Sequence, residues 1–243
     1  MKAVLRWIAL VIVAFVALQL FFVGRIAAMA VIDPQSTTFQ RSEAWRIATE
    51  KDRLRWRQQW VPYEQISHNL KRAVIASEDG SFVNHEGVDW DALEKAWARN
   101  EKAEAAAAKR AMLAPSRAKP PKIVGGSTIT QQLAKNLLLS GERTLLRKGQ
   151  EIVLTFALER TLSKQRILEI YLNNVEWGEG VFGAEAAAQH YFRKPASKLS
   201  AYESARLAVM LPQPKRFEKT PGSGYLASRA STIVARMRDA ELP

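Results

Sequence analysis

Three stretches of the chain put chemically useful side chains at useful spacings. The first is Glu78-Asp79-Gly80-Ser81-Phe82-Val83-Asn84-His85-Glu86-Gly87. An apolar helical pattern ends here, so Glu78 and Asp79 fall at the edge of a core. A carboxylate at such an edge is partly desolvated, which disfavours its charged form and lifts its pKa toward that of a working general base. Taken alone, Glu-Asp-Gly is more often a polar turn that closes a helix. The second stretch is Gly125-Gly126-Ser127-Thr128-Ile129-Thr130-Gln131-Gln132-Leu133-Ala134-Lys135-Asn136. Two glycines leading into a helix present free backbone N–H groups and the positive end of the helix dipole. Gln131, Gln132, Lys135 and Asn136 share a face that suits sugar hydroxyls and a phosphate. Taken alone, this too is an ordinary loop-to-helix turn with a solvated side. The third is Arg143, Arg147 and Glu151, at i, i+4 and i+8, beside Lys148. Helical spacing stacks them on one stripe. Without further context that is a salt-bridged surface, worth about 0.2–0.5 kcal/mol per pair. The opposite face, Ile152, Val153 and Phe156, is apolar and is expected to pack inward.

Other chemistries find no support. The chain has no cysteine, which removes disulfides, thiol catalysis and zinc–thiolate sites. His68, His85 and His190 lack metal-ligand spacing and are expected to be structural. Ser116-Arg117-Ala118-Lys119 matches an S-x-x-K pattern by chance, since no K-T-G follows. Gly125-Gly126-Ser127-Thr128-Ile129 fails the nucleophile-elbow pattern at its last position.

The elements that must position these groups read as nearly all α from Pro62 onward, with no β pattern, no repeats and no second domain. Ile66, Leu70, Val74 and Ser77 recur at helical spacing. Asp89 caps an Ala-rich helix that runs to about Met112. Pro115, Pro120 and Pro121, with Arg117, Lys119 and Lys122, mark a basic, mobile loop. Thr128 and Gln131 form a capping box that opens a helix to about Leu139. A long helical region spans Arg143 to Asn173, broken near Ser163. Gly178, Gly180 and Gly183 form a turn. Two short helices follow, Ala184 to Phe192 and Ser200 to Met210. Pro212 and Pro214 stop the second, and Ser228 to Leu242 forms a last helix.

A length of 243 residues suffices for one good-sized core, and 47% hydrophobic against 25% charged residues excludes a disordered chain. The net charge of +12 favours anionic partners: nucleic acid, anionic lipid headgroups or phosphorylated substrates. Trp7 to Val23 is an uncharged run of 17 residues whose one polar member is Gln19. At 1.5 Å per residue it spans about 26 Å, near the short limit for a membrane helix and too short to tilt, although Ile26 to Ile32 can extend the apolar surface past Arg25, which can snorkel. Lys2 and Arg6 precede it, so that end is expected in the cytoplasm, with the rest translocated. The rival is a cleaved signal peptide, for which Ala28-Met29-Ala30 is an A-x-A site. The length of the apolar run favours a retained anchor. The expected division is a tail at 1–6, an anchor at 7–23, a polar, partly helical membrane-proximal connector at 24–61 and the functional domain at 62–243.

Taken together, the motifs resemble those of the peptidoglycan glycosyltransferases. They are E-D-x-x-F-x-x-H-x-G at 78–87, G-G-S-T-I-T-Q-Q at 125–132, R-K-x-x-E at 147–151 and R-I-L-E-I-Y-L-N at 166–173. Glu176-Trp177-Gly178-Glu179-Gly180-Val181-Phe182-Gly183-Ala184-Glu185-Ala186 is similar to the monofunctional branch in particular. The order matches over about residues 62–211. Glu101 to Lys122 is longer and richer in Ala and Pro than expected between the first two motifs.

The resemblance implies a mostly α, lysozyme-like fold with one N-terminal transmembrane helix and a small lobe that dips into the membrane. It implies an enzyme of the bacterial inner membrane, acting on the periplasmic face. That enzyme polymerises lipid II into β-1,4 glycan with inversion and release of polyprenyl diphosphate. It makes Glu78 the general base and places Glu151 among the diphosphate-binding cations, either orienting them or holding a divalent ion, Mg or Mn. Lys135, Arg143, Arg147 and Lys148 suit the diphosphate. Asp79, Ser127, Thr128, Gln131, Gln132 and Asn173 fall at positions used for substrate contact or site support. No organic cofactor and no nucleic acid is implied. The implied partners are lipid II, the growing lipid-linked glycan, the membrane and other cell-wall synthesis and division proteins. The alternatives are a lysozyme-like lytic enzyme, which has no need of a ladder of cations beside its carboxylate, and a non-enzymatic basic membrane anchor.

Overall fold

The computed structural model describes residues 2–51, 55–113, 120–121, 123–142 and 144–243. Arg143, Lys122 and 114–119, which include the S-x-x-K tetrapeptide and most of the basic loop, lie outside them. The described residues form eleven α-helices and three short strands.

The N-terminal helix α1 spans Lys2–Ala28, longer at both ends than the apolar run. Its 27 residues extend about 40 Å. Helix α2, Thr38–Glu50, starts at a capping box in which Thr37 and Gln40 satisfy each other's backbone N–H groups. Gln40 and Ile47 are buried against the rest of the chain. Ile26, Met29 and Val61 belong to the main hydrophobic core.

Helix α3, His68–Glu78, is capped by Ser67 and buries Leu70, Val74 and Ile75. Ile66 lies just ahead of it, after a 3-10 turn at Tyr63–Gln65. As expected, Asp89 accepts from Ala92 N at the start of α4, Trp90–Leu113. Helices α5 (Ile129–Leu138), α6 (Leu145–Thr161) and α7 (Lys164–Asn174) form the middle of the domain. The break between α6 and α7 falls where Ser163 caps the second of them.

Strands appear where none was expected. Glu176–Gly178 (β2) and Val181–Phe182 (β3) make a hairpin, and Arg57–Gln58 (β1) adds to it in parallel, giving the order β1-β3-β2. At two or three residues apiece, these edges carry too little periodicity to be read from sequence. Gly183 closes the hairpin with φ 84°; a Cβ there would lie 2.6 Å from the Asn173 carbonyl oxygen, so only glycine fits.

Helix α8, Ala184–Phe192, matches its expected bounds, and α9 is Ala201–Met210. After the short α10, Pro214–Phe217, the last helix α11 is Gly224–Arg236 rather than 228–242, because Ser223 caps it four residues earlier. Helices α3, α9 and α11 pack on one another. Helix α5 packs on α2, α6 and α7, and α1 packs along α6.

Candidate active site

Glu78 is the last residue of α3, and the chain turns away at Asp79. Its side chain is half-buried in a cleft of about 270 Å³. Ser77, Asp79 and Gly80 form the floor, the segment Val124 to Thr128 forms one wall, and Asp89, Lys95 and Arg99 border it from the side of α4. Burial is the largest influence on Glu78 and pushes its pKa above the ordinary carboxylate value. Hydrogen bonds from Gln132 and Ser77 pull the other way, and the charge of Asp79 adds to the rise.

A short relay holds this carboxylate. Gln132 Nε2 donates to Glu78 Oε2 at 3.0 Å, and Tyr171 Oη donates to Gln132 Oε1 at 3.1 Å. Burial, with the charges of Glu78 and Asp79, keeps the Tyr171 phenol protonated by raising its pKa well above 10. A phenol that must donate fixes which end of the amide faces it, and therefore that the N–H₂ end faces Glu78.

In the cleft floor, Asp79 is buried and bound on both oxygens. Oδ2 accepts from Ile129 N at 3.0 Å, at the start of α5. Oδ1 lies 2.8 Å from His85 Nε2. His85 Nδ1 accepts from Gly87 N at 3.1 Å, so Nε2 carries the proton donated to Asp79. Thr128 donates to the Gly87 carbonyl at 2.6 Å. Gly87 adopts φ 92°, and a Cβ there would sit 2.6 Å from Thr155 Cγ2 on α6. The loop carrying Glu78 and Asp79 is thus stitched to α5 and pressed against α6. This also bears out the structural role expected of His85.

The expected site residues divide into three groups. Glu78, Asp79, Ser127 and Thr128 line the cleft, with Gln132 bonded to Glu78. Ser127 is exposed at the rim, whereas Thr128 and Gln131 are buried and engaged in the capping box of α5. Lys135 is exposed one turn past Gln131 on the same helix. The second group is on α6. Glu151 is 3% exposed, with Arg147 Nη1 at 2.7 Å from one oxygen and Lys148 Nζ bonded to the other. Among the described residues Arg147 Nε is buried without a partner, which leaves one edge of its fork unused.

Helix α6 turns its charged stripe inward and its Val153/Phe156 face outward, opposite to expectation. Glu151, Leu154, Thr155 and Leu158 face inward, while Val153 is 51% and Phe156 41% exposed. Two cations neutralise Glu151 and make its burial tolerable, so the apolar residues are free to face outward. Asn173, the third case, does not reach the cleft. It is fully buried, accepts from Val61 N at 2.9 Å and donates to the carbonyls of Val61 and Glu169. Its role is support of the chain path.

Tyr171, Lys95 and Arg99 were missed from sequence as individual site residues. Tyr171 lies within the R-I-L-E-I-Y-L-N motif, which is the signal that could have found it. Lys95 and Arg99 fall at i and i+4 on α4, a face-sharing pair. Among the described residues no group of three or more His, Asp and Glu side chains is arranged to hold a metal ion.

A carboxylate of raised pKa, set in a cleft bordered by Lys95 and Arg99, points to an enzyme as the class of protein. The class is confirmed by relationship: the transglycosylase family model matches residues 46–238, and the chain belongs to that family of glycosyltransferases. Its relatives include proteins named biosynthetic peptidoglycan transglycosylase. The one from Burkholderia thailandensis is 53% identical, covering 100% of this chain and 90% of the relative. The one from Paraburkholderia phytofirmans is 52% identical, over 98% and 94%. That of Paraburkholderia xenovorans is 51% identical, again over 98% and 94%.

Proposed function

We propose that this glycosyltransferase polymerises a lipid-linked disaccharide-peptide, lipid II, into β-1,4 glycan strands of peptidoglycan, inverting the anomeric centre and releasing polyprenyl diphosphate. Its main support is the placement of Glu78: a carboxylate of raised pKa, aimed into a cleft by Gln132 and Tyr171. Glu78 takes the proton of the acceptor 4-hydroxyl as that oxygen attacks the donor's anomeric carbon. The bond to the diphosphate breaks as the new glycosidic bond forms, turning α into β. This is an inverting displacement with a sugar hydroxyl in the place that water takes in a hydrolase.

A departing diphosphate needs little protonation but gains negative charge, which preorganised cations stabilise. Arg147 and Lys148, held by Glu151, meet that need, with Lys135 on α5 and Arg143 just ahead of α6. Ser127 offers a hydroxyl at the cleft rim, and Lys95 and Arg99 supply further positive charge beside Glu78. Asp79, Thr128, Gln131 and Asn173 act one layer behind, holding the loop, the helix and the chain path. A divalent cation, Mg or Mn, at the diphosphate would find Glu151 already bonded on both oxygens.

The proposed setting is the bacterial inner membrane, with α1 as a single-pass anchor and the catalytic domain on its outer face. Support comes from the basic start of α1 and from apolar side chains left exposed on the domain. Leu145 and Leu146 are 91% and 89% exposed, and Trp90 and Trp97 stand out from α4. The test is incubation of the purified full-length protein and of Glu78→Gln with lipid-linked disaccharide-peptide, followed by product sizing. Wild type should yield polymer. A positioned general base contributes about 10²- to 10⁴-fold, so Glu78→Gln should lose that much while folding normally. Cleavage of finished glycan, or wild-type-like turnover in Glu78→Gln, would overturn the reading.

A further inference from the structure

Gln19 is the single polar residue of the apolar run Trp7 to Val23, and its amide is not left to the lipid. Gln19 Nε2 donates to Gln150 Oε1 at 3.2 Å, and Gln150 Nε2 donates to Gln19 Oε1 at 2.9 Å. The two amides thus close a reciprocal pair across 131 residues of sequence, between α1 and α6.

The position of this pair along both helices is informative. Gln19 lies four residues, about 6 Å, inside the end of the apolar run at Val23. Gln150 is adjacent to Glu151 and within one turn of Arg147 and Lys148. It is also four and five residues from the exposed Leu146 and Leu145. Beyond the pair, α1 stays attached: Ile26 and Met29 are buried in the core, and Arg166 of α7 bonds the Met29 carbonyl and the Asp33 carboxylate. A helix held at both places cannot slide or turn against the domain. The depth of α1 in a bilayer is set by its apolar run, so the depth of α6 follows from it.

We propose that Gln19 and Gln150 are positioning residues: a clasp that keys α6 to the anchor helix and sets the depth at which Arg147, Lys148 and Glu151 meet a membrane-borne diphosphate. This rests on the reading of α1 as a membrane anchor and of the chain as a polymerase of lipid-linked substrate. Apolar contact alone would hold the helices together in lipid only loosely, because lipid tails are as apolar as leucine; paired amides specify one register.

The experiment uses the full-length protein with Gln19→Leu, Gln150→Leu and the double substitution. Each preparation is assayed for glycan polymerisation in phosphatidylethanolamine/phosphatidylglycerol vesicles and in detergent micelles. In parallel, Leu146→Trp is introduced into each background, and its depth is read by quenching with lipids brominated at different chain positions. All three variants should lose about three- to tenfold in vesicles, the factor that interhelical side-chain hydrogen bonds in lipid can carry. They should change less than twofold in detergent, where no bilayer depth is imposed, and the tryptophan depth should shift or broaden.

A loss of equal size in detergent would show a general folding defect and overturn the proposal. A double variant that recovers wild-type activity and depth would reduce the pair to mutual desolvation relief, and also overturn it. Unchanged rates in vesicles would overturn the clasp alone. Wild-type protein that extracts from vesicles at alkaline pH, or that makes no polymer, would remove the underlying reading and the clasp with it.

Discussion

Replacing Tyr171 with phenylalanine removes one oxygen and leaves the ring, which is buried in the core, in place. That oxygen is the donor that holds Gln132 Oε1. Its loss leaves a part-buried acceptor unpartnered and removes a hydrogen bond with a net value of about 0.5–1.5 kcal/mol. The amide is then free to turn over, and a carbonyl facing Glu78 would repel the carboxylate instead of supporting it. If the upper end of that range is lost from the transition state, the rate falls about tenfold, since about 1.4 kcal/mol corresponds to one decade. The pH profile should respond as well. A donor hydrogen bond favours the ionised carboxylate and lowers its pKa, as the Gln132 contact does for Glu78. Weakening it raises a pKa that burial already places above the ordinary value. The acid limb of polymerisation should therefore move to higher pH, and the relative loss should be greatest on the acid side. The assay is polymerisation of lipid-linked disaccharide-peptide from pH 5 to 8 for both proteins, with thermal unfolding measured on the same samples. An unchanged acid limb with an unchanged rate would refute the relay. A rate loss that tracks a fall in Tm, without a shift of the limb, would make Tyr171 a packing residue only.

Arg147→Lys keeps the charge but loses the planar fork, so polymerisation should fall roughly tenfold while binding to anionic vesicles hardly changes; parallel loss of both would mark a site that works by net charge. Asn173→Ala should destabilise by about 1–3 kcal/mol, seen as a lower midpoint in denaturant, because it strands the backbone groups of Val61. Its remaining folded fraction should polymerise normally, and a large activity loss at full stability would return Asn173 to the cleft. Glu176 has its pKa raised to about 7, by burial first and then by Glu43. A folded pKa above the unfolded one means that the carboxyl contributes stability at low pH and loses it as pH rises from about 4.5 to 7. Glu176→Gln should therefore raise Tm by a few degrees at pH 8 and by much less at pH 5, and equal shifts at both would refute that assignment.

Much of the scaffold was legible because local chemistry decided it. Thr128 and Gln131 cap α5 as a capping box must, Ser163 breaks the long helical region, and Ala184 to Phe192 is a helix with the expected bounds. Glu78 at the end of an apolar helix is likewise a local fact, and with Asp79 and the Gly-Gly-Ser-Thr turn it identified the cleft. The short strands were not legible, because two-residue pairings arise from the packing of residues 55–58 against a hairpin more than a hundred positions away.

The largest misreading was the face of α6. Periodicity assumes that charges face water, yet Glu151 is inside because Arg147 and Lys148 neutralise it there. Val153 and Phe156 are on the exposed side instead. Asn173 was in a matching motif, but only the fold shows its amide spent on Val61. The sequence by itself determined most of the helices, several of their caps, the apolar N-terminal run and the types of residue available for chemistry, because those follow from interactions a few residues apart. The tertiary structure decided which of them meet. Tyr171, Gln132 and Glu78 come from three helices, Lys95 and Arg99 reach the cleft from a fourth, and Gln19 finds Gln150 across most of the chain, since such contacts depend on packing that no local pattern encodes.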